Sequence, residues 1–262
     1  GNETNTVTED TTLTVADGAA GDLLNNASDV DGDALSITQF TVAGNATTFT
    51  AGQTATIAGV GALTINANGS YSFVPAPNYT GAIPVATYTV SDGNGGTDTS
   101  TLTLTMAAVN DLPVATDNVD TTVQDVTVSG NVITENTGDG VDSDVDGDVL
   151  TVSAFTFGGV AGTVGTPLAI AGVGQLTLNS DGSYSFDPEP DFVGDVPEVV
   201  YTLSDGNGGT DTATLSITVT PLSETPSVVG DAATTSEDTR VEIDVLGNDD
   251  PGSEGPLTIT EI

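Results

Sequence analysis

The chain has 262 residues, of which 38 are Asp or Glu and one, Arg240, is a cation, so its formal net charge is −37. Such a charge opposes binding to nucleic acid and to anionic membrane surfaces. The lack of cysteine excludes disulfides and thiolate metal sites, and no apolar run approaches the roughly 20 residues of a membrane-spanning helix. The negative charge must be offset by bound divalent cations or by the salt of a saline habitat.

Alternating polar and apolar residues predict β-strands throughout the chain, and no stretch has helical periodicity with caps. Tight turns are indicated by Asn68-Gly69 and Asp181-Gly182. Strands at intervals of roughly 8–12 residues are typical of a β-sandwich, with about seven strands in each copy of the domain. The strands of the first copy are predicted near residues 5–8, 12–16, 34–42, 54–58, 61–66, 70–74, 84–91 and 97–107.

The apolar positions of these strands predict the core. Tyr71 and Tyr88 fit either a ligand platform or a buried strand face, and their place in alternating strands favours the core. The predicted core residues are Leu13, Val15, Leu35, Ile37, Leu63, Ile65, Tyr71, Phe73, Tyr88, Val90, Leu102 and Leu104.

Long segments of the chain occur twice at a fixed offset. Residues 57–73 return in nearly the same form at residues 170–186, and Ser91–Thr99 returns unchanged as Ser204–Thr212. A fixed long period indicates one domain copied in tandem. We therefore predict a first copy at residues 1–110, a second at residues 111–222 and the truncated start of a third at residues 223–262.

Acidic turns recur with the copies. Residues 29–33 and residues 144–148 both read Asp-Val-Asp-Gly-Asp. Calcium takes six to eight oxygen ligands, which alternate Asp residues on such a turn can supply. The competing interpretation is an Asx-turn whose carboxylates only cap backbone N–H groups. The near absence of cationic partners favours calcium. An EF-hand is excluded because Ser153 stands at the twelfth position of that loop, and the Asp92–Gly96 element does not recur every nine residues as in a β-roll.

The order of these motifs resembles the bacterial cadherin-like tandem repeats of giant type I-secreted RTX adhesins. The resemblance rests on Thr-Glu-Asp-Thr at Thr8, the acidic turns, Gly-Ser-Tyr-Ser-Phe at Gly69, Ser-Asp-Gly-Asn-Gly-Gly-Thr at Ser91 and Val-Asn-Asp at Val109. It covers both full copies and the start of the third. It implies an all-β fold of tandem seven-stranded Greek-key β-sandwiches, cadherin- or Ig-like, joined end to end, with Ca²⁺ bound at the joints.

The resemblance also implies which residues bind the metal. Gln124 stands where the first copy has Glu9, so the second joint, which would use Gln124 or Asp125, is expected to hold fewer or weaker ions. The candidate ligands are Glu9, Asn110, Asp111, Asp144, Asp146 and Asp205 at the first joint, Asp125, Glu224, Asp249 and Asp250 at the second, and Asp29, Asp31 and Asp92 at the free end of the first copy.

The expected function is that of a calcium-rigidified extender, a monomeric rod outside the bacterial cell that holds an adhesive tip away from the surface. Its expected partners are the adjacent repeats of the same chain, with neither nucleic acid nor membrane insertion. The alternative is a ligand-binding adhesin module for sugar or protein, which the lack of Trp and the 5% aromatic content disfavour. An enzyme is not expected, because without His, Cys or Lys the usual nucleophilic chemistries are absent.

Overall fold

A computed structural model describes residues 1–222, 226–252 and 256–260. The chain divides into two compact units, Gly1–Asn110 and Asp111–Ile262. The described residues contain no α-helix, and thus no helix that is long and apolar enough to cross a membrane.

The first unit is built from strands only. Residues 1–110, all of which are described, form β1 (Glu3–Thr8), β2 (Leu13–Val15), β3 (Ser36–Val42), β4 (Thr48–Thr50), β5 (Thr54–Ile57), β6 (Gly61–Ile65), β7 (Tyr71–Pro75), β8 (Ala86–Ser91) and β9 (Thr97–Ala107).

These strands form two sheets in the first unit. One sheet has the order β1-β9-β8-β3-β4 and the other has the order β2-β7-β6-β5. The chain crosses between the sheets after β1, β2, β4 and β7. β1 runs parallel to β9, whereas β6 and β7 form an antiparallel hairpin whose turn requires Gly69 at a φ of +91°. The result is a sandwich in which the long strand β9 is paired on both sides.

The second unit repeats this arrangement. Its sheets have the orders β10-β19-β18-β12-β13 and β11-β16-β15-β14, and the short β17 pairs with β19. The strands of its described residues are β10 (Asn118–Val123), β11 (Val128–Asn131), β12 (Thr151–Phe157), β13 (Val160–Gly162), β14 (Leu168–Ile170), β15 (Gly174–Leu178), β16 (Ser183–Pro188), β17 (Gly194–Asp195), β18 (Val199–Ser204) and β19 (Thr210–Thr220).

Each sandwich has one core, to which both of its sheets contribute. In the first unit, Ile37 and Tyr88 from one sheet meet Leu63 and Phe73 from the other. The second unit buries Phe155 and Tyr201 against Leu176 and Phe186 in the same way. Strand alternation places these apolar side chains on the inner faces. The all-β class and the tandem sandwiches predicted from the sequence are therefore confirmed.

Two details differ from the sequence prediction. The structure has an additional short strand, β4, which pairs with β3; its three residues were too few for an alternation signal. Of the predicted core residues, Leu13, Leu35 and Val90 are only half-buried; Leu13 and Val90 still pack against the core, whereas Leu35 lines a surface groove of the first unit. Tyr71 and Tyr88 are buried as predicted.

Gly174 at the start of β15 is enclosed on its Cβ side. An added Cβ would lie 2.5 Å from the Asp187 carbonyl oxygen and 2.8 Å from the Phe186 ring, at a φ of +154°. We expect Gly174→Ala to lower the free energy of unfolding of the second unit by about 1–3 kcal/mol more than its control, because the clash is added to backbone strain. The measurement is urea unfolding followed through the NMR signals of Phe186 and Tyr201.

The control is Gly172→Ala, two residues away. Gly172 also has a positive φ, of +77°, but no atom lies within 4 Å of the added Cβ. Equal losses of stability in the two variants would show that the close approach at Gly174 has no energetic consequence.

Candidate metal centre

The first unit gathers three carboxylates where β3 begins and β8 ends. Asp29, Asp33 and Asp92 each offer one oxygen, and the three oxygens lie within 4.8 Å of one another. Oxygens that bind one calcium ion at about 2.4 Å lie no farther apart than twice that distance, so the spacing is compatible with a shared ion. All three residues are half-buried.

The loop itself positions these carboxylates. Asp29 Oδ1 accepts hydrogen bonds from the backbone N–H groups of Asp31 at 2.8 Å and Asp33 at 3.3 Å. The amide of Asn94 donates to Asp33 Oδ2 at 2.7 Å and so ties the loop to the β8–β9 turn. The Asx-turn of the competing interpretation therefore exists, and it coexists with the convergence of the three carboxylates.

The second unit contains a corresponding cluster. Asp144, Asp146 and Asp148 bring one oxygen each within the same 4.8 Å. Asp144 Oδ1 accepts from the N–H groups of Asp146 at 2.9 Å and Asp148 at 3.3 Å, and Asn207 donates to Asp148 Oδ2 at 2.8 Å. Asp144 Oδ2 is buried without a hydrogen-bond partner among the described residues. A carboxylate oxygen in this position is suited to bind a cation, so the residues fit calcium.

A glycine-rich turn fixes one Asp of each unit: Asp92, which belongs to the first cluster, and the predicted ligand Asp205, which is not one of the three members of the second. Asp205 is 4% exposed, and its Oδ1 accepts the N–H groups of Asn207, Gly208 and Gly209 at 2.8–3.0 Å. In the first unit, Asp92 accepts the N–H groups of Asn94 and Gly96 in the same way. The repeated Asp-Gly-Asn-Gly-Gly sequence thus supplies donors that stabilise a carboxylate ion.

The opposite end of the first unit carries a buried glutamate. Glu9 follows β1 and is 2% exposed. Its N–H donates to the Ala107 carbonyl at 2.9 Å, and its Oε2 accepts from the Val109 N–H at 2.9 Å. Its Oε1 is buried with no hydrogen-bond partner among the described residues. This second carboxylate oxygen without a partner is also suited to bind a cation.

The second unit has Gln124 in the place of Glu9. The Gln124 N–H donates to the Thr220 carbonyl at 2.8 Å, the same backbone bond that Glu9 makes with Ala107. Its side-chain amide instead donates to Asp191 at 3.0 Å. Asp125 is exposed and accepts the Asp191 N–H at 3.0 Å, as Asp10 accepts the Asn78 N–H at 2.9 Å. Asp125 thus stabilises a turn, and it follows the residue that corresponds to Glu9 rather than replacing Glu9.

The remaining predicted ligands fall in several places. Asp31 is exposed and lies outside the first cluster. Asn110 and Asp111 lie where the two units are joined in sequence, and the Asp111 N–H donates to Asp146 Oδ2 at 2.8 Å. Glu224 is outside the described residues.

Asp249 and Asp250 do not take the positions of Asp144 and Asp146. Asp250 pairs with Ser227 through two backbone hydrogen bonds, as Ser143 pairs with Val114. Asp249 accepts the Val229 N–H at 2.7 Å. Asp249 and Asp250 therefore lie at the turn that precedes the acidic loop, and not in the loop that would correspond to the cluster of the second unit.

Two residues at the sites were missed by the candidate set. Asp33 and Asp148 close the acidic turns and lie within the clusters. Their sequence signal was the final Asp of Asp-Val-Asp-Gly-Asp, which was recognised as part of the motif but not selected as a ligand. Its role depends on the Asn of the distant glycine-rich turn, a contact that the sequence does not reveal.

The sequence model of the bacterial cadherin-like domain matches residues 1–108 and again residues 110–221. The chain belongs to the bacterial cadherin-like domain family. No curated protein matches it.

The solved structures to which this chain is similar include cadherins. A two-domain fragment of human mucin-like protocadherin is 17% identical, with a TM-score of 0.42, and the match covers 84% of this chain and 97% of the fragment. Repeats 22–24 of mouse cadherin-23 are 12% identical, with a TM-score of 0.47, and the match covers 87% and 67% of the two chains. The family assignment rests on the domain match alone.

A buried polar network lies beside the acidic cluster of the second cadherin-like repeat. Asp142 accepts from the Thr116 N–H at 2.7 Å and the Thr116 hydroxyl at 3.0 Å, and the Tyr201 hydroxyl donates to its Oδ2 at 3.1 Å. Burial raises the pKa of Asp142 above its ordinary value, although the hydrogen bonds from Thr116 and Tyr201 oppose the shift. The pKa of Tyr201 is also raised, chiefly by burial and then by the Asp142 charge.

The raised pKa of Asp142 makes its ionised form a cost to folding. As pH falls from neutrality through the folded-state pKa towards the ordinary value, this carboxyl binds its proton in the folded state before the unfolded one. Stability from this group therefore rises with falling pH and is lost as pH rises through the folded-state pKa. We expect the stability difference between wild type and Asp142→Asn to shift in favour of wild type as the pH is lowered from 7 towards 5, in a chelator.

The measurement is urea unfolding of both proteins at each pH. Titration of the other carboxylates changes the stability of both proteins equally, so it does not contribute to the difference between them. Asp139→Asn is the charge-matched control, because Asp139 is exposed. A wild-type advantage that is the same at every pH would contradict the assignment.

Proposed function

We propose that this chain is a calcium-rigidified extender segment of a bacterial surface adhesin, secreted to the cell exterior, where it spaces an adhesive tip away from the cell. The observation that carries the proposal is the pair of buried, unpartnered carboxylate oxygens, Glu9 Oε1 and Asp144 Oδ2, in a chain with a single cationic side chain. Ions bound there would be shared between successive repeats and would fix their orientation.

Within one unit, the two kinds of acidic group lie at opposite ends. Asp92 precedes β9, and Glu9 is hydrogen-bonded to residues at the far end of that strand. The eleven residues of β9 extend over roughly 33 Å at about 3.3 Å per residue. The first unit thus has acidic groups at both ends, as a linear series of ion-linked repeats needs.

Protein cations cannot replace the metal. Arg240 pairs with Glu242 at 2.8 Å, and both side chains are largely exposed. Separation of two repeats would leave carboxylates uncompensated, so calcium binding favours the linked state. An ion that binds only the folded protein adds about 2.7 kcal/mol per site when its free concentration is 100 times Kd.

The alternative of a ligand-binding adhesin module has less support. Every Tyr and Phe side chain of the chain lies within the described residues, and each is buried or half-buried. Aromatic side chains are enriched at binding surfaces, and none of the Tyr and Phe side chains here is in the exposed class. The cadherin-like fold is an adhesion-type fold that is generally non-enzymatic, which agrees with a mechanical role.

Small-angle X-ray scattering of the full chain in 2 mM calcium and then in excess EDTA tests the extender. We expect the maximum dimension to become smaller and more variable in EDTA, because the repeats are no longer held in one orientation. A maximum dimension that is unchanged by EDTA would count against the proposal.

The Asp144→Asn/Asp146→Asn variant should resemble the EDTA state even in calcium, and its unfolding temperature should depend less on calcium concentration. Asp139→Asn/Glu189→Gln is the matched control, since it removes the same charge at exposed positions of the same unit. An equal loss of calcium dependence in both variants would point to general charge screening rather than a site.

A further inference from the structure

The two units differ in a pair of polar residues at the end where their first and last strands finish together. In the first unit, Glu9 follows β1 and has a buried oxygen without a partner among the described residues. In the second unit, Gln124 follows β10, and its side-chain amide donates to Asp191 at 3.0 Å. The first unit has Asn78 in the place of Asp191. Each pair therefore contains one carboxylate, but on opposite members.

Backbone geometry shows that Asn78 and Asp191 occupy the same position of the repeat. The Asn78 N–H donates to Asp10 Oδ1 at 2.9 Å, and the Asp191 N–H donates to Asp125 Oδ1 at 3.0 Å. All four residues have a positive φ, between 54° and 61°, which Asn and Asp adopt more readily than most residues. The turn is therefore the same in both units, and it accommodates either Asn or Asp.

The exchange moves the negative charge from a buried position to an exposed one. Glu9 is 2% exposed, whereas Gln124 is half-buried and Asp191 is exposed. A buried carboxylate oxygen without a hydrogen bond is costly unless a cation binds it. An exposed carboxylate is solvated by water, and this one also accepts from the Gln124 amide. An ion would therefore relieve a cost at the end of the first unit, and the end of the second unit has no corresponding cost.

The two side chains also hold different segments of the chain. In the first unit, the Val109 N–H donates to Glu9 Oε2 at 2.9 Å, so the glutamate contacts the segment that follows β9. In the second unit, the Gln124 amide contacts the turn between β16 and β17, where Asp191 lies. The glutamine side chain is thus engaged within its own unit, by an acceptor that the first unit lacks.

We propose that the Gln124–Asp191 hydrogen bond replaces the metal at this end of the second unit, so that the end keeps its local structure without calcium. Asp191 determines this behaviour, because it supplies the acceptor that the glutamine amide needs. Neither Gln124 nor Asp125 would then bind an ion, although the family resemblance implies a site there. The inference rests on the proposed function: in an extender, calcium would control an end that carries a glutamate and leave this end unchanged.

Calcium titration of the full chain, from EDTA into millimolar calcium, compares the two ends by amide NMR. We expect saturable shifts at the backbone amides of Glu9 and Val109, and none at the Gln124 side-chain amide or the Asp191 backbone amide. Saturable shifts at both ends would overturn the inference and leave the proposed function standing. No shift at either end would contradict the proposed function, and with it the comparison of the two ends.

Variants in EDTA test the hydrogen bond without any contribution from an ion. Asp191→Asn gives the turn the residue that the first unit has there. We expect it to speed amide hydrogen exchange at Gln124 about fivefold, because the side-chain amide loses a charged acceptor. Gln124→Glu should also speed exchange at this position, since it places two carboxylates against each other, and the addition of Asp191→Asn should restore most of the loss.

Glu189→Gln is the matched control. Glu189 is exposed, and its carbonyl accepts from Phe192 in the turn that contains Asp191, so the variant removes one charge from the same turn. We expect it to change exchange at Gln124 less than twofold. The inference is overturned if Asp191→Asn and Glu189→Gln have equal effects, or if the changes at positions 124 and 191 are additive.

Discussion

The scarcity of cations constrains this molecule more than any other property. With 38 acidic side chains and one basic one, carboxylates must be satisfied by backbone N–H groups, hydroxyls, solvent or metal. The structure uses the first of these wherever a turn can supply it, as in the three N–H groups that converge on Asp205 Oδ1. What remains is a small set of oxygens, such as Glu9 Oε1, that no group of the described chain reaches.

The same polar elements therefore serve both the fold and the candidate metal centre. The Asx-turn at Asp29 shapes the loop and leaves its neighbours' carboxylates free to converge. Asn94 and Asn207 join two loops that are distant in sequence, each through one amide hydrogen bond. Local hydrogen bonding thus places the ligands, and an ion would add stability without rebuilding the loops.

Because the domain is repeated, the two units of the chain can be compared position by position. Gln124 makes the same backbone hydrogen bond as Glu9. The two residues therefore occupy the same position of the repeat, where the second unit has glutamine in place of glutamate. A glutamine amide cannot supply the anionic oxygen that Glu9 supplies, and here it bonds to Asp191.

The sequence alone predicted the sandwich class, the repeats and most of the first unit's core, because alternation and a fixed period are properties of neighbouring residues. It also located the acidic turns, since Asp-Val-Asp-Gly-Asp is contiguous. Only the tertiary structure showed that Asp33 and Asp148 belong to the clusters and that Asp31 does not. It also showed that Asp249 accepts a backbone hydrogen bond in a turn and does not take the position of a candidate ligand. These facts depend on which distant loop lies opposite each carboxylate, and contacts between residues far apart in the chain produce no periodic pattern in the sequence.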